Sequence, residues 1–260
     1  MSGKYNGMQA IIQQHCNLAE YVPCAAHSLN LVGQSSASCC QQAVRFFSFL
    51  QRLYSFFAAS PHCWKVLTDQ LSSKSLPTVK RMSDTRWLAR ADATKALVKG
   101  YDEINAALEE IHNDEDEKPD AKDEAGSISS DMDRLEIGIL AALWHQILER
   151  FHRTSQILQS ADQDLNTAVA LYESLIDFVH SLRTRFEEFE AKGKKLGECD
   201  IYAGEVKRVR KRNRRYDEPG SAPELLRLGL QILQLQRDLL IKLMKMTTSM
   251  LNRMMMMTSQ

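Results

Sequence analysis

Asp131-Met132-Asp133-Arg134-Leu135-Glu136-Ile137-Gly138-Ile139-Leu140-Ala141-Ala142-Leu143-Trp144-His145-Gln146-Ile147-Leu148-Glu149-Arg150-Phe151 is the stretch on which the fold turns. Met132, Leu135, Ile139, Leu143, Ile147 and Phe151 recur three and four residues apart, the spacing of one face of an α-helix. The period predicts a helix from Asp131 to Gln159. Ser160-Ala161-Asp162 interrupts it, and Asp162 has the side chain of a helix cap. A further helix is expected through Leu165, Val169, Tyr172, Ile176, Val179, Leu182 and Phe186 to Ala191. Two long helices joined by a short polar turn make an antiparallel pair.

Working outward, the same period extends over most of the chain. His27 to Ala58 reads as one helix, with an apolar stripe of Val44, Phe47, Phe49, Leu50, Leu53, Tyr54, Phe56 and Phe57. Ser60-Pro61 is a helix start, Ser capping and Pro in the first position, and that helix runs to about Ser72. Pro77 keeps Leu76 extended through Leu76–Arg81. Ser83 or Asp84 then caps a long helix through Trp87, Ala91, Ala96, Leu97, Ile104 and Leu108 to His112. A short helix is allowed between Lys4 and Gln14. Only Ala19-Glu20-Tyr21-Val22-Pro23-Cys24 reads as a strand, and Pro23 restricts it to an edge. Asn113 to Ser130 is acidic and reads as a solvated linker, with a helical turn or two after Asp120. Gly193 and Gly197 are placed in a break after the last of these helices.

The chain has 260 residues, with 33 Lys plus Arg against 33 Asp plus Glu, so any electrostatic argument about a partner must be local. Only 11 Gly and 6 Pro are present, too few for the frequent turns of a sandwich. No apolar run reaches the roughly 20 residues of a membrane span, and Met1–Gly7 has no signal-peptide core. The six cysteines are irregularly spaced, with Cys39 and Cys40 adjacent, which predicts reduced thiols in the cytosol or nucleus rather than a disulfide framework.

Cys24 and His27 form a Cys-x-x-His pair after the expected strand. A closed zinc site needs four ligands. With His15 and Cys16 upstream the spacing fits no zinc module, so a packed, reduced pair at a strand–helix junction is the plainer reading. No nucleophile elbow, P-loop, dinucleotide fingerprint or His-Glu-x-x-His is present, so neither an enzyme nor a cofactor is expected. Lys207-Arg208-Val209-Arg210-Lys211-Arg212-Asn213-Arg214-Arg215 places seven cations in nine residues. It reads as a nuclear import signal, as a phosphate-contacting patch, or as a solvated loop. From about Pro223, Leu225, Leu228, Ile232, Leu235, Leu239, Lys242 and Met246 make a heptad seam. It either pairs with a protein partner or a second copy through residues 225–250, or folds back on the other helices.

Two motifs then carry a family resemblance. Met1-Ser2-Gly3-Lys4-Tyr5-Asn6-Gly7 followed by Tyr21-Val22-Pro23-Cys24-Ala25-Ala26-His27-Ser28-Leu29-Asn30-Leu31-Val32-Gly33 resembles the hAT-transposase-like region of zinc finger MYM-type protein 1 and its relatives. Lys80-Arg81-Met82-Ser83-Asp84-Thr85-Arg86-Trp87 with Arg90-Ala91-Asp92-Ala93 resembles the Thr-Arg-Trp signature of the same family. The likeness covers roughly residues 1–218. It implies a mainly α chain: a truncated RNase H-like, hAT transposase-type fragment with one short edge strand at 20–24 and a large helical insertion. In active members three acidic residues hold two divalent metals. The resemblance puts the first two upstream of Met-Ser-Gly-Lys and the third in a C-terminal dimerisation region that the last helix here does not resemble. Without those carboxylates the two metals are not clamped, so the chain is expected to be non-catalytic. The resemblance puts the family's Cys-x-x-His motif, here Cys24 and His27, beside the active site and the Trp of its Arg-Trp motif, here Arg86 and Trp87, in stacking near the DNA ends, with core packing the plainer reading of Trp87.

The expected organisation is a remnant of the RNase H-like domain at 1–60 and a helical insertion at 61–192 with the acidic linker 113–130. A basic linker at 193–222 and an amphipathic helix at 223–260 follow. The expected function is that of a domesticated-transposase-derived nuclear protein that binds nucleic acid weakly through the basic run, or protein partners. The rival is a helical scaffold that pairs through its Leu/Met seam without touching DNA.

Overall fold

A computed structural model describes residues 7–16, 24–37, 41–83, 87–160 and 164–197. Every regular element among them is helical. The helices are α1 (Met8–His15), α2 (Ala25–Ala37), α3 (Gln41–Ala59), α4 (Pro61–Ser72), α5 (Trp87–Lys99), α6 (Tyr101–Asn113), α7 (Pro119–Met132), α8 (Leu135–Leu158), α9 (Leu165–Ser181) and α10 (Phe186–Gly197), with a 3-10 turn at Leu182–Thr184. The expected strand at 20–24 falls outside the described residues except for Cys24. The basic run and the C-terminal seam fall wholly outside them.

The helix expected from Asp131 begins at Leu135, after an extended Arg134 and with Met132 closing α7, and as α8 it is the centre of the fold. Met132, Leu135, Ile139, Leu143, Ile147 and Phe151 are all buried, and so are Leu140, Ala141, Ala142, Trp144 and Leu148 on the other sides of α8. A helix buried nearly all round needs neighbours on every face. α8 has α5 and α10 packed along it and touches α2, α3, α7 and α9, while α6 lies between α4 and α7. One apolar core runs through all of them from Ala26 to Phe189. It crosses the expected boundary between 60 and 61 without a gap. Phe47 of α3 meets Trp144 of α8 edge-on at 4.8 Å, and Arg52 of α3 bonds to Glu124 at 2.7 Å and Asp131 at 3.0 Å in α7.

Several elements differ from their reading in the sequence. The acidic stretch 113–130 is not a solvated linker, because Pro119 opens a helix there and Ala125, Ile128, Ser129 and Met132 are buried on one face of it. Its charges masked that face: Glu124 and Asp131 pair with Arg52, and Ser127 accepts a third bond from the same guanidinium at 3.0 Å. The expected helix from 83 to 112 is described from Trp87 and is broken at Gly100, which has φ −117° and ψ 33°. Glycine is a poor helix former, and here a Cβ would stand 2.8 Å from Leu71 Cδ2, so the break lets α4 pack close. The expected helix 27–58 is described as α2 and α3 on either side of residues 38–40, with Val44 exposed.

The helix expected from Asp162 is capped instead by Asp164, whose carboxylate accepts from the Thr167 amide at 2.6 Å. It ends at Ser181, whose hydroxyl turns back onto the Phe178 carbonyl at 2.7 Å. α10 then restarts at Phe186 with Glu187 and Glu188 in its first turn, where negative charge suits the helix dipole. Gly193 and Gly197, placed in a break by the sequence, lie inside α10. Ser60 caps α4 as expected, accepting from the Cys63 amide at 3.4 Å.

Candidate anion-binding cleft

The glycine at 193 decides how the surface beside α8 is shaped. A Cβ built on Gly138 would stand 2.7 Å from the Gly193 carbonyl oxygen, and one built on Gly193 would stand 2.7 Å from the Ile139 nitrogen. Only two facing glycines let α8 and α10 cross backbone to backbone. Gly193 is flanked in sequence by Lys192 and, two residues on, Lys195, so the crossing carries both lysines onto the flank of α8. From the other side α5 brings Lys95 and Lys99, and the break at Gly100 starts α6 beside them. Tyr101 fixes that start by donating its hydroxyl to the Met132 carbonyl at 2.6 Å.

Between these walls lies a cleft of about 600 Å³. Its polar lining includes Lys99, Asp102, His145, Glu149, Lys192 and Lys195, and Val98, Ala142 and Leu196 supply apolar floor. Two of the charges are already engaged. Glu149 accepts from Arg153 at 2.6 Å, and Lys192 donates to Glu188 at 2.5 Å. Among the described residues Lys99 and Lys195 form no ion pair, and the carboxylates in the lining are Asp102 and Glu149. Burial holds the half-buried His145 imidazole below its ordinary pKa; Glu149 opposes this, and Lys95, Lys99 and Lys192 push the same way as burial. An anion bound here would offset the lysine field and favour the imidazolium.

The motif residues lie elsewhere. Cys24 precedes α2, its carbonyl accepting from the Ser28 amide at 2.9 Å, and both Cys24 and His27 are exposed. That departs from a packed pair: Ala26, Leu29 and Val32 take the inner face of α2 and leave 24 and 27 outside. The start of α2 is held instead by Tyr172 of α9, which donates to the Ala25 carbonyl at 2.7 Å; burial raises its phenol pKa well above the usual range, and the nearby Cys24 adds to this. Trp87 is the first residue of α5, and Arg86 lies outside the described residues, as do Lys207, Arg208, Arg210, Lys211, Arg212, Arg214 and Arg215. Among the described residues no three His, Cys, Asp or Glu side chains gather as a metal site would require, and no helix is long and apolar enough to cross a membrane.

Lys99, His145, Lys192 and Lys195 were not singled out from sequence. Lys95 and Lys99 are four apart and Lys192 and Lys195 three apart, so each pair shares a helix face, but nothing local says that the two faces meet. The class these observations define is a helical body with a lysine-rich cleft beside its central helix. Compared with known proteins, the chain matches no family profile, no curated protein and no solved structure.

Proposed function

We propose that this chain is a transposase-derived, non-catalytic nuclear protein whose activity is non-specific binding of nucleic acid. The observation that carries the reading is the basic run, seven cations between Lys207 and Arg215, which begins ten residues after Gly197 closes α10. Clustered cations release counterions from any polyanion, so affinity of this kind falls steeply with salt. The two sequence motifs, with Cys24 and His27 in one and Arg86 and Trp87 in the other, support descent from an hAT-type transposase. The mainly helical body is compatible with the helical insertion of that family.

Binding of a generic duplex to the full chain is the test. Affinity is expected to drop about 10³-fold between 50 and 200 mM salt if some six phosphates are neutralised. Replacing Arg210, Lys211 and Arg212 by Ala is expected to lower both affinity and the salt slope, and to impair nuclear import. Unchanged affinity and import in that variant would remove the reading's main support, and metal-dependent DNA cleavage by the full chain would overturn its non-catalytic part. The heptad seam through Leu225, Leu228, Ile232, Leu235 and Leu239 favours a second reading, a scaffold that pairs through residues 225–250. A strictly monomeric chain by light scattering at high concentration rules that reading out.

A further inference from the structure

The cleft between α5, α6, α8 and α10 is cut to a different scale from a duplex. A volume of about 600 Å³ lies within the roughly 300–1,000 Å³ of small-ligand sites, and B-DNA, presenting a continuous rod of phosphates, does not enter a recess of that size. Its charge is also arranged for a compact anion. Lys99 at the end of α5 and Lys195 on α10 line it without carboxylate partners among the described residues, and Lys192, which is paired with Glu188, lines it as well. Lysine ammonium groups bind as point charges with three rotatable donors each, a good match to a tetrahedral anion that accepts from several directions. The half-buried imidazole of His145 adds one further donor. A single carboxylate has fewer acceptor directions and one charge, so it would leave part of this set unused.

The remaining lining suggests what the anion is attached to. Val98, Ala142 and Leu196 form an apolar side to the recess, while the Gln146 amide oxygen accepts from the Arg185 guanidinium at 3.1 Å and leaves its NH2 group to donate. Apolar surface with one amide donor suits a flat, polar-edged organic group more than a bare ion. We propose that this cleft is a binding site for a nucleotide-sized phosphomonoester, with Lys99 and Lys195 holding the phosphate and His145 serving as a protonatable donor to it. The phosphomonoester reaches the site either on a free nucleotide or on the 5′ end of a nucleic acid strand. The site uses no residue of the basic run, so each is tested by its own substitutions.

The test uses the full chain with AMP, adenosine and a dinucleotide with or without a 5′-phosphate, followed by calorimetry and by the His145 ring proton in NMR. AMP or the 5′-phosphorylated dinucleotide is expected to saturate the protein, whereas adenosine and the unphosphorylated dinucleotide do not. Saturation by AMP alone marks a free nucleotide as the source, and saturation by the dinucleotide alone marks a strand end. Lys99→Glu with Lys195→Glu is expected to weaken binding at least about tenfold, the loss typical of charged hydrogen bonds. Lys99→Arg with Lys195→Arg retains most of it, and Arg210, Lys211 and Arg212→Ala leave it unchanged.

In the unmodified chain, AMP is expected to raise the pH at which His145 titrates, since a phosphate offsets Lys95 and Lys99 of α5 and Lys192 and Lys195 of α10, leaving Glu149 and Asp102 to favour the imidazolium. No saturation by either phosphorylated probe up to about 10 mM, weaker than any specific site of this kind, overturns the proposal. So does equal binding of adenosine, or undiminished binding by a folded Lys99→Glu, Lys195→Glu chain. A His145 signal whose titration is the same with and without saturating AMP removes it from the site.

Discussion

Gly138→Ala is the substitution that most directly tests the packing around α8. The new Cβ would lie 2.7 Å from the Gly193 carbonyl oxygen, 3.1 Å from its Cα and 3.2 Å from its carbonyl carbon. All three are backbone atoms of a packed helix, so no side chain can swing away, and α10 must move by several tenths of an ångström. Overpacking of this kind costs about 1–3 kcal/mol, and the rigid neighbour places this site toward the upper end. Against it, Ala is favoured over Gly inside a helix by about 1 kcal/mol. The net expectation is a loss of about 2 kcal/mol. With a urea dependence of about 2 kcal/mol per molar, the midpoint followed by circular dichroism falls by about 1 M. Gly193→Ala is expected to behave alike, and the double variant to lose less than the sum, because one displacement of α10 relieves both contacts. Gly197→Ala is the control: its Cβ would meet nothing closer than 3.6 Å, so stability is expected to hold or rise slightly. A Gly138→Ala chain as stable as the parent would refute the backbone-to-backbone crossing, and with it the placement of Lys192 and Lys195 beside His145.

Three further outcomes are expected. Tyr172→Phe leaves the Ala25 carbonyl without its 2.7 Å donor and is expected to cost about 1–2 kcal/mol in urea unfolding; no loss would mean that water replaces the bond. Glu124 is held below its ordinary pKa chiefly by the hydrogen bond from Arg52, so its contribution is present above the unfolded-state pKa and is lost as pH falls through the folded one. Glu188, lowered to about 2 by Arg185 and Lys192, follows the same sign and keeps its pairing to lower pH. Stability is therefore expected to decline as pH drops from the ordinary glutamate range toward about 2, and Arg52→Ala to flatten the upper part of that decline. Burial pushes the Cys63 thiol up, so a thiol reagent read out by peptide mass mapping is expected to modify exposed Cys16 and Cys24 first and Cys63 only on unfolding. Rapid native labelling of Cys63 would contradict its place in the core.

The helical class was legible because its signal is local. The period from Leu135 to Phe151 and the Ser60-Pro61 start each needed only neighbouring residues, and both stand in the structure, whereas Met132 in the same period closes α7. Breaks were harder. Gly100 and the turn after Ser181 interrupt apolar patterns that continue in register on both sides, and what decides the break at Gly100 is contact with Leu71, 29 residues away in sequence. The helix Pro119–Met132 was hidden by composition, since its acidic residues looked like solvated charge until Arg52 of α3 was placed against them. The cleft was illegible for the strongest reason. Lys99 and Lys195 are distant in sequence, and they line one cleft because Gly138 and Gly193, each unremarked by any motif, permit a close crossing.

The central position of α8 also sets the order in which this chain can complete itself as it is made. α2 and α3 come early, yet part of their apolar surface closes only on α8, through contacts such as Phe47 with Trp144. Residue 158 is added 99 residues after α3 ends at Ala59. At about 5–20 residues per second that is roughly 5–20 s during which Phe47 lacks its partner Trp144. α4 follows α3 directly and packs on it, so part of the stripe is covered in that interval, while the edge that meets Trp144 waits for α8. The growing chain thus holds α3 half-covered until the central helix arrives.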